Sequence, residues 1–86
     1  MKDLSELNIA VIGLGYVGLP LAVEFGKKRK TLGFDVNKKR INDLRMGVDK
    51  TLEVTKEELE EVSKLEFTFD ENEIRNLIKK PYYIVS

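Results

Sequence analysis

Short apolar runs and longer stretches with helical spacing take turns along this chain. NIAVI (8–12) is compact, rich in β-branched side chains and closed by glycine, which predicts a buried parallel strand. From about Tyr16 the spacing predicts a helix with Val17, Leu21, Ala22 and Phe25 inward. Pro20 fits a helix only near its first turn, where amides lack intrahelical acceptors, so it pins the start close behind the glycines. The cations KKRK (27–30) follow at the end that the helix dipole favours for them. TLGFD (31–35) predicts a second strand. Asn37 is placed to cap a short helix with Ile41 and Leu44 inward and Gly47 as its stop. Residues 48–54 have no clear period and are expected to form a loop. Thr55 and Glu58 have the spacing of a capping box, ahead of a helix with Leu59 and Val62 inward. LEFTF (65–69) alternates, as a half-exposed strand at a sheet edge does. Asp70 and Glu73 spell a second box before Ile74, Leu77 and Ile78, and Lys79, Lys80 and Pro81 end that helix. YYIV (82–85) predicts a fourth strand.

The order β-α-β-α-(α)-β-α-β implies right-handed crossovers and a parallel sheet with flanking helices. The class is α/β, and the expected strand order is 3-2-1-4 with LEFTF on one edge. Eighty-six residues make one small domain or a piece of one, with room for one modest core.

Composition narrows the chemistry. The chain has 15 basic and 15 acidic side chains, so no net field draws it to nucleic acid or an anionic membrane. The basic runs KKRK (27–30) and KKR (38–40) read first as solvated surface. No apolar run reaches membrane-spanning length and MKDLSEL is not a signal peptide, which leaves the cytoplasm as the expected compartment. Cysteine and histidine are absent, which excludes disulfides, thiolate or imidazole zinc sites and the common nucleophile–base pairs.

Within VIGLGYVGLP (11–20), Gly13, Gly15 and Gly18 are spaced G-x-G-x-x-G. The spacing alone also suits a plain glycine-rich turn. Here a strand precedes it, a helix follows, and Asp35 closes the next strand 17 residues beyond Gly18. Gly13 permits the tight turn, Gly15 the approach of backbone to a pyrophosphate, and Gly18 the close packing of helix on strand. Amides and dipole at the helix start face the phosphates, and a carboxylate at Asp35 accepts from the ribose hydroxyls. The pattern is that of a partial Rossmann fold that binds a dinucleotide. Asp35 repels a 2′-phosphate and favours NAD over NADP. Lys38, Lys39 and Arg40 complicate that choice, being cations on a first helical turn where the dipole disfavours them. Arg40 is read as lying beside the adenine, in planar packing, while Lys38 and Lys39 suit either a ligand or plain solvent.

NIAVIGLGYVGLPLAVEFGKK, followed by GFDVNKKRINDLRMGVDKTLEV, resembles the start of the UDP-glucose/GDP-mannose dehydrogenase family. The branch it is most similar to is the bacterial UDP-N-acetylhexosamine 6-dehydrogenases of surface-polysaccharide synthesis. The resemblance covers essentially the whole chain. It implies an enzyme in which NAD⁺ oxidises the sugar C6 alcohol twice, through a thiohemiacetal on a cysteine, to a uronic acid. It also implies that Gly13, Gly15, Tyr16, Val17 and Gly18 form the phosphate loop, that Asp35 binds the ribose, and that Arg40 lies at the adenosine end. Family members run to several hundred residues, so residues 1–86 are expected to be the N-terminal part of an NAD-binding domain, without its catalytic cysteine and lysine. The expected partners are NAD and, for the parent enzyme, a UDP-sugar. A free edge at 82–85 would invite self-association. The alternatives are another dinucleotide-dependent oxidoreductase, a flavin or S-adenosylmethionine user, and a stand-alone nucleotide-sensing module.

Overall fold

The computed structural model describes residues 8–78 and 82–85, with side chains described from residue 9 to residue 76. Four strands, β1 (Asn8–Ile12), β2 (Thr31–Phe34), β3 (Leu65–Thr68) and β4 (Tyr82–Val85), form one parallel sheet in the order β3-β2-β1-β4. In register, Ile12 lies beside Phe34, Phe34 beside Thr68, and Val11 beside Val85. Building thus proceeds outward from β1 through β2 to β3, then returns to β1's other side. That reversal makes the carboxyl end of β1 a topological switch point, where open α/β sheets bind their ligands.

Helices α1 (Gly18–Gly26), α2 (Lys38–Arg45), α3 (Lys56–Glu61) and α4 (Glu71–Ile78) join the strands. The capping boxes fare differently. Thr55 and Glu58 form theirs in full, each side chain accepting the other's backbone N–H. Asp70 instead accepts the N–H of Asn72 through its side chain, and Glu73 bonds only the Asp70 carbonyl through its backbone. Leu77 and Ile78, expected on the same inward face as half-buried Ile74, have side chains outside the described set, and Lys79, Lys80 and Pro81 lie outside the described residues.

The phase of α1 differs from the expected one. Its first helical residue is Gly18 rather than Tyr16, and its buried residues are Leu19, Ala22, Val23 and Gly26. Val17, expected inward, is 71% exposed. The register is set by Gly26 as well as by the large apolar side chains. A methyl group there would stand 2.5 Å from Val62 Cγ1 and 2.8 Å from Leu65 Cβ, so only glycine lets α1 settle that close to the α3–β3 connection. Pro20 remains in the first turn, as its missing N–H requires.

One core results. Ile9, Ala10 and Val11 of β1 are all buried, as a central strand covered on both faces demands. The strand LEFTF ends at Thr68, and Phe69 lies beyond it, with the Lys38 ammonium and the Arg45 guanidinium each 5.5 Å from its ring centre. Arg45 also donates from Nε (3.1 Å) and Nη2 (2.8 Å) to the Phe67 carbonyl on the outer edge of β3. A guanidinium on that acceptor blunts an edge that would otherwise receive a foreign strand.

Substituting Gly26 by alanine tests the packing directly. On helix propensity alone the change should stabilise the protein; the crowding at Val62 and Leu65 makes it cost about 1–3 kcal/mol instead. Urea unfolding of both forms measures the sign, and a more stable variant would contradict the close contact.

Candidate nucleotide site

Beyond β1 the chain continues its ladder by one bond, Gly13 N–H donating to the Phe34 carbonyl at 2.8 Å, and then turns. Gly13 makes that turn at φ +91°, in the left-handed region that side chains disfavour. Gly18 fulfils the packing role: a Cβ on it would run into the Gly13 carbonyl oxygen, which is backbone and cannot yield. Strand and helix therefore meet through glycine on both sides. The amides of Gly15, Tyr16 and Val17 find no acceptor among the described residues. They lie in the turn that leads into the positive end of α1, where an anion is stabilised. Gly15, Tyr16 and Val17 are exposed there, Tyr16 at 69%.

Leu14, between the glycines, is where the site is fixed. Its side chain is fully buried, with both methyls against Gly33 of β2. Its N–H donates to Asp35 Oδ2 at 3.0 Å. Its carbonyl accepts from Arg40 Nε at 2.9 Å and Nη2 at 2.7 Å. Asp35 in turn accepts the Asn37 N–H on Oδ1 at 2.9 Å, and Asn37 Oδ1 accepts the Arg40 N–H at 3.0 Å. Asp35 is thus aimed by two backbone donors, one on each oxygen. Each oxygen keeps acceptor capacity for a further donor such as a ribose hydroxyl. Of the residues singled out in the sequence, Gly13, Gly18, Asp35 and Arg40 are brought together around Leu14. Gly15, Tyr16 and Val17 form the exposed tip.

Asp49 was not among the residues singled out from the sequence. It sits in the 48–54 loop, its side chain fully enclosed, and pairs with Arg40 Nη1 at 2.7 Å. Oδ1 also accepts the N–H and hydroxyl of Thr51 (2.9 and 2.6 Å), and Oδ2 accepts the N–H groups of Glu53 (2.8 Å) and Val54 (3.0 Å). The only available signal was D-x-T two residues after Gly47, a pattern in which an aspartate accepts from the backbone just ahead of it. These bonds also hold Leu52 at φ +60°, 88% exposed, a strained state for a non-glycine residue. The Arg40 side chain is itself 12% exposed. Three of its five edge donors serve Leu14 and Asp49.

Burial pushes the Asp49 carboxyl up, but hydrogen bonds from the Thr51 hydroxyl, Arg40 and the Val54 and Thr51 amides outweigh it and hold the group well below the usual carboxylate range. A carboxyl depressed by folding adds stability that is complete above its unfolded value of about 3.9 and is lost as pH falls through the folded one. Acid should therefore weaken the protein below about pH 4, and Asp49→Asn should be less stable at neutral pH but flatter in acid. Thermal midpoints across that range compare the two; parallel curves would contradict the assignment.

With this geometry in view, four similarities place the chain. The family model for the UDP-glucose/GDP-mannose dehydrogenase family, NAD binding domain, matches residues 7–80. UDP-N-acetyl-D-glucosamine 6-dehydrogenase of Salmonella typhi is 56% identical over 86 residues, and that of Pseudomonas aeruginosa is 58% identical over 83. These alignments take in 100% and 96% of this chain but only 20% and 19% of the relatives. The solved UDP-D-ManNAc dehydrogenase of Pyrococcus horikoshii superposes with a TM-score of 0.77 at 30% identity, over 93% of this chain and 20% of that one. A match of this extent to the family's cofactor domain, on a glycine turn and acid arranged as described, leaves one conclusion: the chain belongs to the UDP-glucose/GDP-mannose dehydrogenase family and forms part of its NAD binding domain.

Proposed function

We propose that Gly13, Gly15, Tyr16, Val17 and Gly18 bind the pyrophosphate of NAD, that Asp35 receives the adenosine ribose, and that Arg40 presents its planar face at the adenosine end. The observation that carries this reading is the Gly18–Gly13 contact, which leaves no space for a side chain and keeps the turn's amides beside the start of α1. NAD, when bound, supplies a hydride acceptor. The residues of this chain bind and orient it: the Leu14 clamp fixes the turn, and Asp35 reads the ribose while disfavouring a 2′-phosphate.

The activity proposed for the parent protein is NAD-dependent oxidation of the C6 alcohol of a UDP-N-acetylhexosamine to a uronic acid, for surface-polysaccharide synthesis, in the cytoplasm. What supports it is the identity to the two UDP-N-acetyl-D-glucosamine 6-dehydrogenases. Among the described residues no helix is long and apolar enough to cross a membrane. In this reading the outer side of β4, at the end of the sheet, is where further chain or a second copy would add.

Two outcomes are expected. Calorimetric titration of the chain should give tighter binding of NAD than of NADP, and Asp35→Ala should narrow the gap by about tenfold, as loss of one like-charge contact does. Preference of the unaltered chain for NADP would overturn the assignment. The chain alone, which contains no cysteine, should produce no NADH from NAD⁺ and UDP-N-acetylglucosamine or UDP-glucose, because a twofold oxidation through a thiohemiacetal needs a thiolate. Sustained NADH absorbance above a Gly15→Trp control would show the active site to be misplaced.

A further inference from the structure

We propose that Asp49 sets the cofactor preference of this site by holding the Arg40 guanidinium away from a ribose 2′-phosphate. This rests on the reading of the site as a dinucleotide cradle. In such folds an arginine near the end of the second strand is what accommodates the 2′-phosphate of NADP. Arg40 stands in that position. Its backbone N–H is capped by Asn37, whose own N–H is held by Asp35, and its guanidinium bonds the carbonyl of the same residue whose N–H bonds Asp35. The guanidinium therefore lies within one residue's length of the ribose-reading carboxylate. By position alone, Arg40 would make this an NADP site.

Three of its five N–H donors are already committed. Nε and Nη2 serve the Leu14 carbonyl, and Nη1 serves Asp49. Asp49 cannot follow the guanidinium outward, because four further donors from residues 51–54 hold its two oxygens. The two N–H groups that remain belong to a side chain only 12% exposed. A phosphate dianion would reach them by drawing Arg40 off an enclosed carboxylate and leaving that carboxylate buried without its cation, which is strongly unfavourable. Asp35 repels the 2′-phosphate, and Asp49 withholds the group that would attract it. The basic run 38–40 thus coexists with NAD preference.

Asp49→Asn keeps the side chain's shape and removes its charge. The ratio of NADP to NAD dissociation constants, measured by calorimetry, should fall by about tenfold, the worth of releasing one charge-assisted bond. In an Arg40→Met background the same substitution should leave the ratio unchanged. If Asp49 merely braces the loop, Asp49→Asn will weaken both cofactors alike and leave their ratio where it was, which would overturn the proposal. Absence of NAD binding by the unaltered chain would instead count against the dinucleotide reading. A measurement on the unaltered chain covers both that case and failure of the variant to fold. The Arg40 Nε–H should exchange slowly with water, and no faster when adenosine 2′,5′-bisphosphate is added. Fast exchange, or exchange that quickens on addition of that probe, would show that the guanidinium is not held.

Discussion

The Leu14 peptide, held from both sides, is the constraint on which the site depends. Its N–H is fixed by Asp35, its carbonyl by Arg40, and its side chain is locked in the core against β2. A glycine-flanked turn would otherwise be among the most pliable parts of a fold, since glycine loses more freedom on ordering than any other residue. Anchoring Leu14, between Gly13 and Gly15, converts that freedom into a fixed set of outward-facing amides. The anchor is ionic and enclosed, so its failure is costly: removing one partner of a buried pair costs about 3–5 kcal/mol. Loop 48–54, far from the glycines in sequence, therefore supports the turn proposed to hold the phosphates.

The sheet explains why these pieces meet. The carboxyl ends of β1 and β2 stand side by side, Ile12 beside Phe34, so Gly13 and Asp35 emerge together. Because the chain reverses its direction of building at β1, α1 begins at a crevice instead of beneath a neighbouring connection. Gly26 at the other end of α1 lets the helix lie close against the α3–β3 connection, and Gly18 lets it start close against the turn. Both contacts aim the same helix start.

Much of this was legible in the residues. The eight elements follow from apolar periods and from caps with a defined reach, and Asn37, Thr55 and Gly47 stand where their chemistry predicts. The phase of α1 was not legible, because Val17 and Leu19 are equally apolar and only the depth of packing at Gly26 chooses between them. The Asp70 cap differs because its carboxylate reaches Asn72 rather than Glu73. Asp49 escaped notice for a different reason. One acid in a loop without periodicity shows only its local D-x-T pattern until a partner nine residues earlier, on another element, is seen to face it. Local rules report local bonds, and the clamp on Leu14 is built from bonds that span 21 and 26 residues.

In the proposed site a prefixed turn around Leu14 receives the dinucleotide. Titration of the isotopically labelled chain with NAD⁺, followed by backbone amide resonances, checks this. Large shifts are expected at Gly13, Gly15, Tyr16, Val17 and Gly18 and at residues 35–37, with the Leu14 N–H protected from exchange before any ligand is added. Shifts centred on α3 or the β3 edge, or a Leu14 amide that becomes protected only on binding, would contradict it.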